Sequence, residues 1–487
     1  MFLHLLNWPI IKVMKIFRIL IPAIFLLIFS TLNGQKVHLS GSGSGYQNAI
    51  MRFFSMTDPV TGRLKPILTI GCDEKGSFSC ELECRKSQTI YIKTGIYNLH
   101  LYISDSTEYE ILLPDWIEKP GNEEMNPFFI ETEAIPEVVN NKNDINNLIR
   151  KFDSDYNPVF NLVADRVFNN WGKDAIPDEI RKLDKYSEVK DPAFFSDYIK
   201  CRMIMLNLVS SSSKTVQNDA MEFINKRFNT ANEAFLDLAE QMFTGYFNLI
   251  STGPVKDSFF RSVSIASFSE MRTGVLQDGK ITNKELADFV ILLNLNSCYY
   301  ERTIPGENVR KIISLMRTQG ETGFIKVSSA AILDKINSSL PGSSPPDFSL
   351  MDSDGKRMNL KDFRGKYLLL SFARENDQVS LMELGIINMW QKKYINDVQV
   401  VTVLADKDFK NASVKLRNLG YKWIFLDGSK REILEFDYDL KMYPSFLLLD
   451  REGKIIANPC SFPSENLDLI INNILSGERV RSGTENR

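Results

Sequence analysis

Tyr367–Phe372 reads Y-L-L-L-S-F, an apolar run broken only by Ser371. It is too short for a typical helix and does not alternate, which marks a strand buried on both faces of a sheet. A sheet covered on both sides needs helices against both faces, and the sequence supplies them. The pattern predicts a helix over Leu381–Tyr394, a strand over Val398–Leu404 and a helix over Phe409–Leu419. A short extended segment follows at Trp423–Leu426, then a helix at Lys430–Phe436. Ser445–Leu449 and Lys454–Ala457 form a hairpin around Asp450-Arg451-Glu452-Gly453, and a helix over Ser464–Leu475 closes the domain. A second hairpin, Phe348–Met351 with Lys356–Leu360, turns at Asp352-Ser353-Asp354-Gly355 ahead of the buried strand.

A chain of 487 residues holds more than this one core, and its length suggests roughly three domains. Ser338–Pro346, read S-S-L-P-G-S-S-P-P, separates the α/β part from what precedes it, because proline fixes φ and removes donors. Upstream, apolar residues recur at three and four, as in Ala220–Phe228 and Phe235–Ala239, which predicts an irregular bundle of seven to nine helices. Thr282-x-x-Glu285 reads as a capping box opening the helix with Phe289, Leu292 and Leu295. Residues 37–114 instead show short strands: Ala49–Met56, Pro66–Cys72, Ser77–Cys84, Thr89–Lys93, Asn98–Ser104 and Glu108–Leu113. The expected architecture is multidomain. A signal peptide (1–35, start at Met1 or Met14) precedes a small antiparallel β-sandwich (36–115). A central α-helical domain (116–337), a linker (338–346) and the α/β domain (347–487) complete the chain.

The leader reading rests on Lys15 and Arg18 followed by the 14-residue segment Ile19–Leu32, short against the roughly 20 residues of a spanning helix. With no other long apolar run, an exported protein without a membrane span is expected. An uncleaved anchor is the alternative. The formal charge is −3, and removing Lys12, Lys15 and Arg18 with the leader leaves −6. Without basic clusters, there is no electrostatic reason to expect nucleic-acid binding. The three histidines, His4, His38 and His100, and the six cysteines show no metal-ligand spacing, so no metal or cofactor is expected. His38 and His100 are read as facing solvent. Cys80 and Cys84 share one strand face about 13 Å apart, too far for a disulfide, so the cysteines read as small core side chains; Cys72 is the one placed to meet a neighbour across a hairpin.

Pro346–Phe372 (P-D-F-S-L-M-D-S-D-G-K-R-M-N-L-K-D-F-R-G-K-Y-L-L-L-S-F) and Tyr443–Ile456 (Y-P-S-F-L-L-L-D-R-E-G-K-I-I) together resemble thioredoxin-fold proteins of the AhpC/TSA and TlpA-like group. In that group the buried strand runs into F-W-A-x-W-C-x-x-C. In this sequence the two cysteine positions are Asp377 and Ser380, and the two tryptophan positions are Ala373 and Asn376. Residues 37–114, with the D-x-x-G-x-F hairpin at Asp73–Phe78, resemble the N-terminal β-domain of envelope thioredoxin-like proteins.

The resemblance implies a thioredoxin-like C-terminal domain, a cis proline at Pro444 beside the active site, and a cleft in which Tyr443 and Pro444 meet an extended substrate by strand addition. It also matches Glu383 to the family's acidic residue beyond the second cysteine. Disulfide exchange needs an attacking thiolate and a resolving thiol, and Asp377 and Ser380 supply neither. Asp377 reads as a helix N-cap, and Glu383 as a first-turn acid favouring the helix dipole. A Ser380 nucleophile would lack a histidine base. Cys460, the domain's only thiol, is expected near the start of the last helix and away from the cleft. The expected function is a non-catalytic binding or assembly module in the cell envelope, taking an extended peptide or protein ligand. Alternatives are a thiol–disulfide oxidoreductase using displaced cysteines and a purely structural envelope component.

Overall fold

The computed structural model describes residues 35–84, 87–104, 106, 108–120, 123, 126, 129–171 and 176–485. The predicted leader lies outside them but for Gln35. Among the described residues no helix is long and apolar enough to cross a membrane. The chain divides into two units: residues up to 52 with 69–117 and 132–157, and residues 53–68 and 118–131 with everything from Pro158 onward.

The first unit is built from strands β1 (Gln35–Ser42), β2 (Ile50–Asp58), β3 (Arg63–Gly71), β4 (Ser77–Cys84), β5 (Gln88–Thr94), β6 (Tyr97–Ile103), β7 (Glu108–Leu112), β8 (Thr132–Ala134) and β9 (Glu137–Val138). The outer parts of β2 and β3 group with the second unit. One sheet has the order β4-β1-β7-β9 and the other β3-β2-β5-β6-β8. Along β4, Phe78, Leu82 and Cys84 are buried while Ser79, Glu81 and Glu83 are exposed, the alternation of a strand with one wet face. Gly41 in β1 is required by packing, since a Cβ there would lie 2.7 Å from Ile111 and from Phe78.

Two expectations change here. The sheets are mixed rather than antiparallel, because β1 pairs with β7, and β6 with β8, in parallel. His100 does not face solvent. Its ring packs edge-on against Tyr91 at 4.7 Å and meets Asn98 Nδ2 at 3.2 Å, whereas His38 is exposed.

The pairing of β6 with β8 stops at Leu99, which leaves the β6 edge without a strand at Tyr102. Asn146, fully buried, takes over: its Oδ1 accepts from Tyr102 N at 2.8 Å and its Nδ2 donates to Tyr102 O at 2.9 Å. A side-chain amide thus stands in for a peptide group of a neighbouring strand. Asn146→Ala is expected to destabilise the protein by about 2–3 kcal/mol in denaturant unfolding, because two backbone groups lose their partner. A loss under about 0.5 kcal/mol would mean that water replaces the amide.

Eleven helices follow among the described residues, against seven to nine expected. They are α1 (Ile145–Phe168), α2 (Ile176–Arg181), α3 (Ala193–Ser210), α4 (Lys214–Arg227), α5 (Glu233–Phe243), α6 (Tyr246–Ile250), α7 (Lys256–Ser264), α8 (Phe268–Gln277), α9 (Lys284–Glu301), α10 (Gly306–Gln319) and α11 (Gly323–Asn337). The short α2 and α6 carry too few residues to show a period. Strands β8 and β9 lie within the stretch read as the beginning of the helical part, and two or three residues likewise show no alternation.

Helix α9 is the bundle's centre, with every residue from Leu286 to Leu295 buried. Asp288, on that buried face, accepts two bonds of 2.6 Å from Arg272 Nε and Nη2 and a third of 2.8 Å from Glu321 N. The cap of α9 is not Thr282. Asn283 holds that position and accepts from Leu286 N at 3.0 Å. Thr282 N and Oγ1 donate instead to Asn225 Oδ1 on α4, and Glu285 accepts from Thr322 Oγ1 at 2.9 Å.

The C-terminal domain has a β10–β11 hairpin (Ser349–Met351, Arg357–Asn359) and a five-stranded sheet of order β14-β13-β12-β15-β16. Its strands are β12 (Tyr367–Ala373), β13 (Val398–Leu404), β14 (Ile424–Asp427), β15 (Ser445–Leu449) and β16 (Ile455–Ala457). Helices α12 (Gln378–Tyr394), α13 (Phe409–Asn418), α14 (Arg431–Asp437) and α15 (Leu467–Glu485) complete it.

Strand β12 explains its own sequence. Tyr367, Leu369 and Ala373 join one core with Leu384, Phe446 and Leu448. Leu368, Leu370 and Phe372 join another with Val401, Val403 and Leu447. Ser371, the lone polar residue, shares a 2.6 Å hydrogen bond with Thr402 Oγ1, which also accepts from Trp423 Nε1.

The Ser338–Pro346 segment is less free than its composition suggests. Gly342 N donates to Ile455 O at 2.7 Å and Ile455 N to Ser343 O at 2.8 Å, so it lies along β16.

Candidate functional site

Strand β12 ends at Ala373, and its chain passes through Arg374–Asn376 into α12. Asp377 is the N-cap, with extended backbone and a carboxylate that accepts from Ser380 N at 2.7 Å. A helix start leaves its first amides without partners, and a short carboxylate is well suited to take one. This cap begins α12 three residues before the expected start. Ser380 is fully buried, and its Oγ accepts from Arg374 N at 3.3 Å, closing the turn beneath the cap. The two positions that the family resemblance matches to cysteines therefore touch, and both bond to backbone.

Asp406, which sequence reasoning passed over, also holds this turn. It is nearly buried and accepts from Glu375 N at 2.9 Å. Burial pushes its carboxyl pKa up, against the opposing pull of that N–H and of Arg374. Glu375 pairs with Lys415 at 2.9 Å. A lone aspartate just beyond β13 carries no pattern that would single it out.

Glu383 is not in the first turn, because α12 starts at Gln378. It is fully buried, with Oε2 accepting from Ser464 N at 2.9 Å and Oε1 from Ser464 Oγ at 2.5 Å. It ties α12 to the turn that leads into α15, a partner 81 residues away that no local spacing reveals. The Tyr443-Pro444 peptide is cis. Antiparallel pairing of Phe372 with Ser445 sets Pro444 level with Ala373, at the mouth of the turn carrying Asp377. Pro444 itself is buried, while Tyr443 turns its hydroxyl to Glu435 Oε1 on α14 at 3.1 Å.

Around this mouth Val379, Met382 and Met442 are exposed, Met382 at 55%. Methionine adapts its shape to varied apolar surfaces. Titratable groups suited to nucleophilic chemistry are not gathered here. Cys460 is buried in the core with Phe446 and Leu448, and its N–H donates to Phe446 O at 2.8 Å. It thus packs behind the strand that carries Pro444 and, as expected, beside the start of α15, in one cluster with Leu467 and Ile471. Burial pushes its thiol pKa up to about 11. Cys72, Cys84 and Cys201 are likewise buried, Cys80 and Cys298 half-buried, and all six thiols are free. No group of three or more metal-ligating side chains occurs among the described residues.

Residues 341–458 match the AhpC/TSA family. Among known proteins, the chain is 29% identical over 117 residues to the thioredoxin-like protein YneN of Bacillus subtilis, covering 23% of this chain and 68% of that protein. It is 26% identical over 148 residues to the thiol-disulfide oxidoreductase ResA of Bacillus cereus, covering 30% of this chain and 83% of ResA. Similar solved structures include a thioredoxin-like protein from Bacteroides caccae, at 18% identity and a TM-score of 0.30, covering 52% of this chain and 93% of that one. Another is the thioredoxin domain of a thiol-disulfide oxidoreductase from Bacteroides vulgatus, at 23% identity and a TM-score of 0.22, covering 24% and 86%.

Proposed function

Since residues 341–458 are a thioredoxin-like domain of the AhpC/TSA family, we propose that this domain has lost thiol–disulfide catalysis and serves as a non-catalytic binding or assembly module of an exported envelope protein. The observation that carries the reading is the use made of the two positions aligned with cysteines. Asp377 caps α12 through Ser380 N, and Ser380 Oγ accepts from Arg374 N. Both side chains satisfy the local backbone, and neither can take part in disulfide exchange. Glu383, with Ser380 in place of the family's thiol, is committed to Ser464.

What remains at the cleft is a surface for binding. The Tyr443–Pro444 loop and the exposed Val379, Met382 and Met442 present backbone and adaptable apolar area. An extended peptide or protein segment is the ligand this surface suits. Export rests on the leader read from Lys15 to Gln35.

The test counts thiols. Six reactive thiols are expected in denaturant, with and without prior reduction. In the native protein Cys460 should label roughly a hundredfold more slowly than an exposed cysteine, since two pKa units cut the thiolate fraction by that factor and burial slows it further. A reducible bridge between Cys460 and another cysteine would sink this reading and favour an oxidoreductase with displaced thiols.

A further inference from the structure

The turn joining α9 to α10 lines an open pocket of about 440 Å³, walled by Tyr299, Tyr300, Arg302, Ile304, Pro305 and Gly306. That volume lies within the range of small-molecule sites. The two tyrosine rings stand edge to face with centroids 5.3 Å apart, and Tyr300 is 54% exposed. Ile304 is buried beneath them. Gly306 keeps the floor open, since a Cβ there would come within 3.3 Å of the Tyr299 ring.

Arg302 supplies the pocket's formal charge. It caps the end of α9 with a left-handed φ of 58° and is exposed, and among the described residues no hydrogen bond or ion pair engages its guanidinium. Asp439, Asp58 and Arg63 nearby have partners of their own. Burial, then Asp439, Tyr299 and Asp58, raise the Tyr300 hydroxyl pKa, and Arg63 opposes them. Asp439 pairs with Lys441 at 2.8 Å. Asp58 accepts from Thr61 N and Oγ1 at 2.7 and 2.6 Å, with Lys335 and Arg63 within electrostatic reach. Arg63 donates to Phe436 O at 2.5 Å and stacks over the Phe436 ring at 4.1 Å. Glu301, next to Arg302 in the chain, is exposed to solvent.

We propose that this pocket binds a monocarboxylate with an aromatic or branched apolar body, the carboxylate on the Arg302 guanidinium and the body against Tyr299, Tyr300 and Ile304. A guanidinium fork matches one carboxylate bidentately. The tyrosine faces offer rigid aromatic area for the body. A phosphate dianion fits less well, because a single guanidinium must hold it beside Asp58 and Asp439. The first amides of α10, where Pro305 gives no side-chain cap, add a favourable field for the anion.

The experiment is titration calorimetry of the full chain with hippurate, its neutral amide hippuramide, and phenyl phosphate. Hippurate should bind at least tenfold more tightly than either of the others. Arg302→Gln should abolish the preference for hippurate over hippuramide while leaving the melting temperature unchanged, and Tyr300→Ala should weaken both. The proposal is overturned by no hippurate binding at millimolar concentration, by equal affinity for the amide, by tighter phenyl phosphate binding, or by an unaltered preference in Arg302→Gln.

Discussion

Replacing Asp288 by alanine is expected to lower the unfolding free energy by about 3 kcal/mol, the lower end of the cost of breaking a buried ion pair. The carboxylate is fully buried on α9, and it satisfies both Arg272 nitrogens and the Glu321 amide. Removing it leaves a guanidinium and an N–H facing the space it filled. Arg272 retains a bond to Gln319 O at 3.0 Å, a ring contact with Phe268 at 4.4 Å and partial exposure, and these hold the loss near the lower end. The double change Asp288→Leu with Arg272→Met should recover much of it, because two apolar residues remove both unpaired groups together. Denaturant unfolding followed by helical circular dichroism measures both. A single-variant loss below 1 kcal/mol would mean that the pair is not the bundle's central tie.

The second large effect is a gain. Asp377→Cys with Ser380→Cys is expected to give a slow exchanger, with turnover at least tenfold below that of an ordinary thioredoxin. A thiolate at position 377 would sit at the start of α12, where the helix field stabilises it. The rest of the turn works against efficiency. Arg374 and Glu375 place charge beside it, Asp406 fixes the Glu375 amide, and Ala373 and Asn376 stand where the family has tryptophans. Losing the cap should also cost about 0.5–2 kcal/mol in a thermal melt. Turnover equal to that of thioredoxin would show that nothing but the two thiols was missing.

The sequence is most legible where one local rule decides the outcome. Strands β13 and β15 have the bounds expected, and β12 extends the expected strand by one residue, because mostly apolar runs buried on both faces are bounded by charged and turn residues. The N-cap at Asp377 is readable for the same reason, since the bond spans only three residues. Legibility fails where the partner is far along the chain. Thr282 looks like a cap until Asn225, 57 residues earlier, claims both its N–H and its hydroxyl. Glu383 reads as a first-turn acid until Ser464, 81 residues on, takes both its oxygens. His100 alternates like a solvent-facing residue, yet the Tyr91 ring lies against it. The Pro-rich segment before β10 reads as free linker, but the edge of β16 offers it hydrogen bonds. In each case a long-range contact overrides a sound local preference.

The proposed function requires that the Asp377–Ser380 turn support binding without thiol–disulfide exchange. Insulin reduction with dithiothreitol tests it most directly, with the Asp377→Cys, Ser380→Cys variant alongside to show that the assay detects even slow exchange. The native protein is expected to precipitate insulin no faster than dithiothreitol alone. Acceleration at a rate typical of thioredoxins would contradict it.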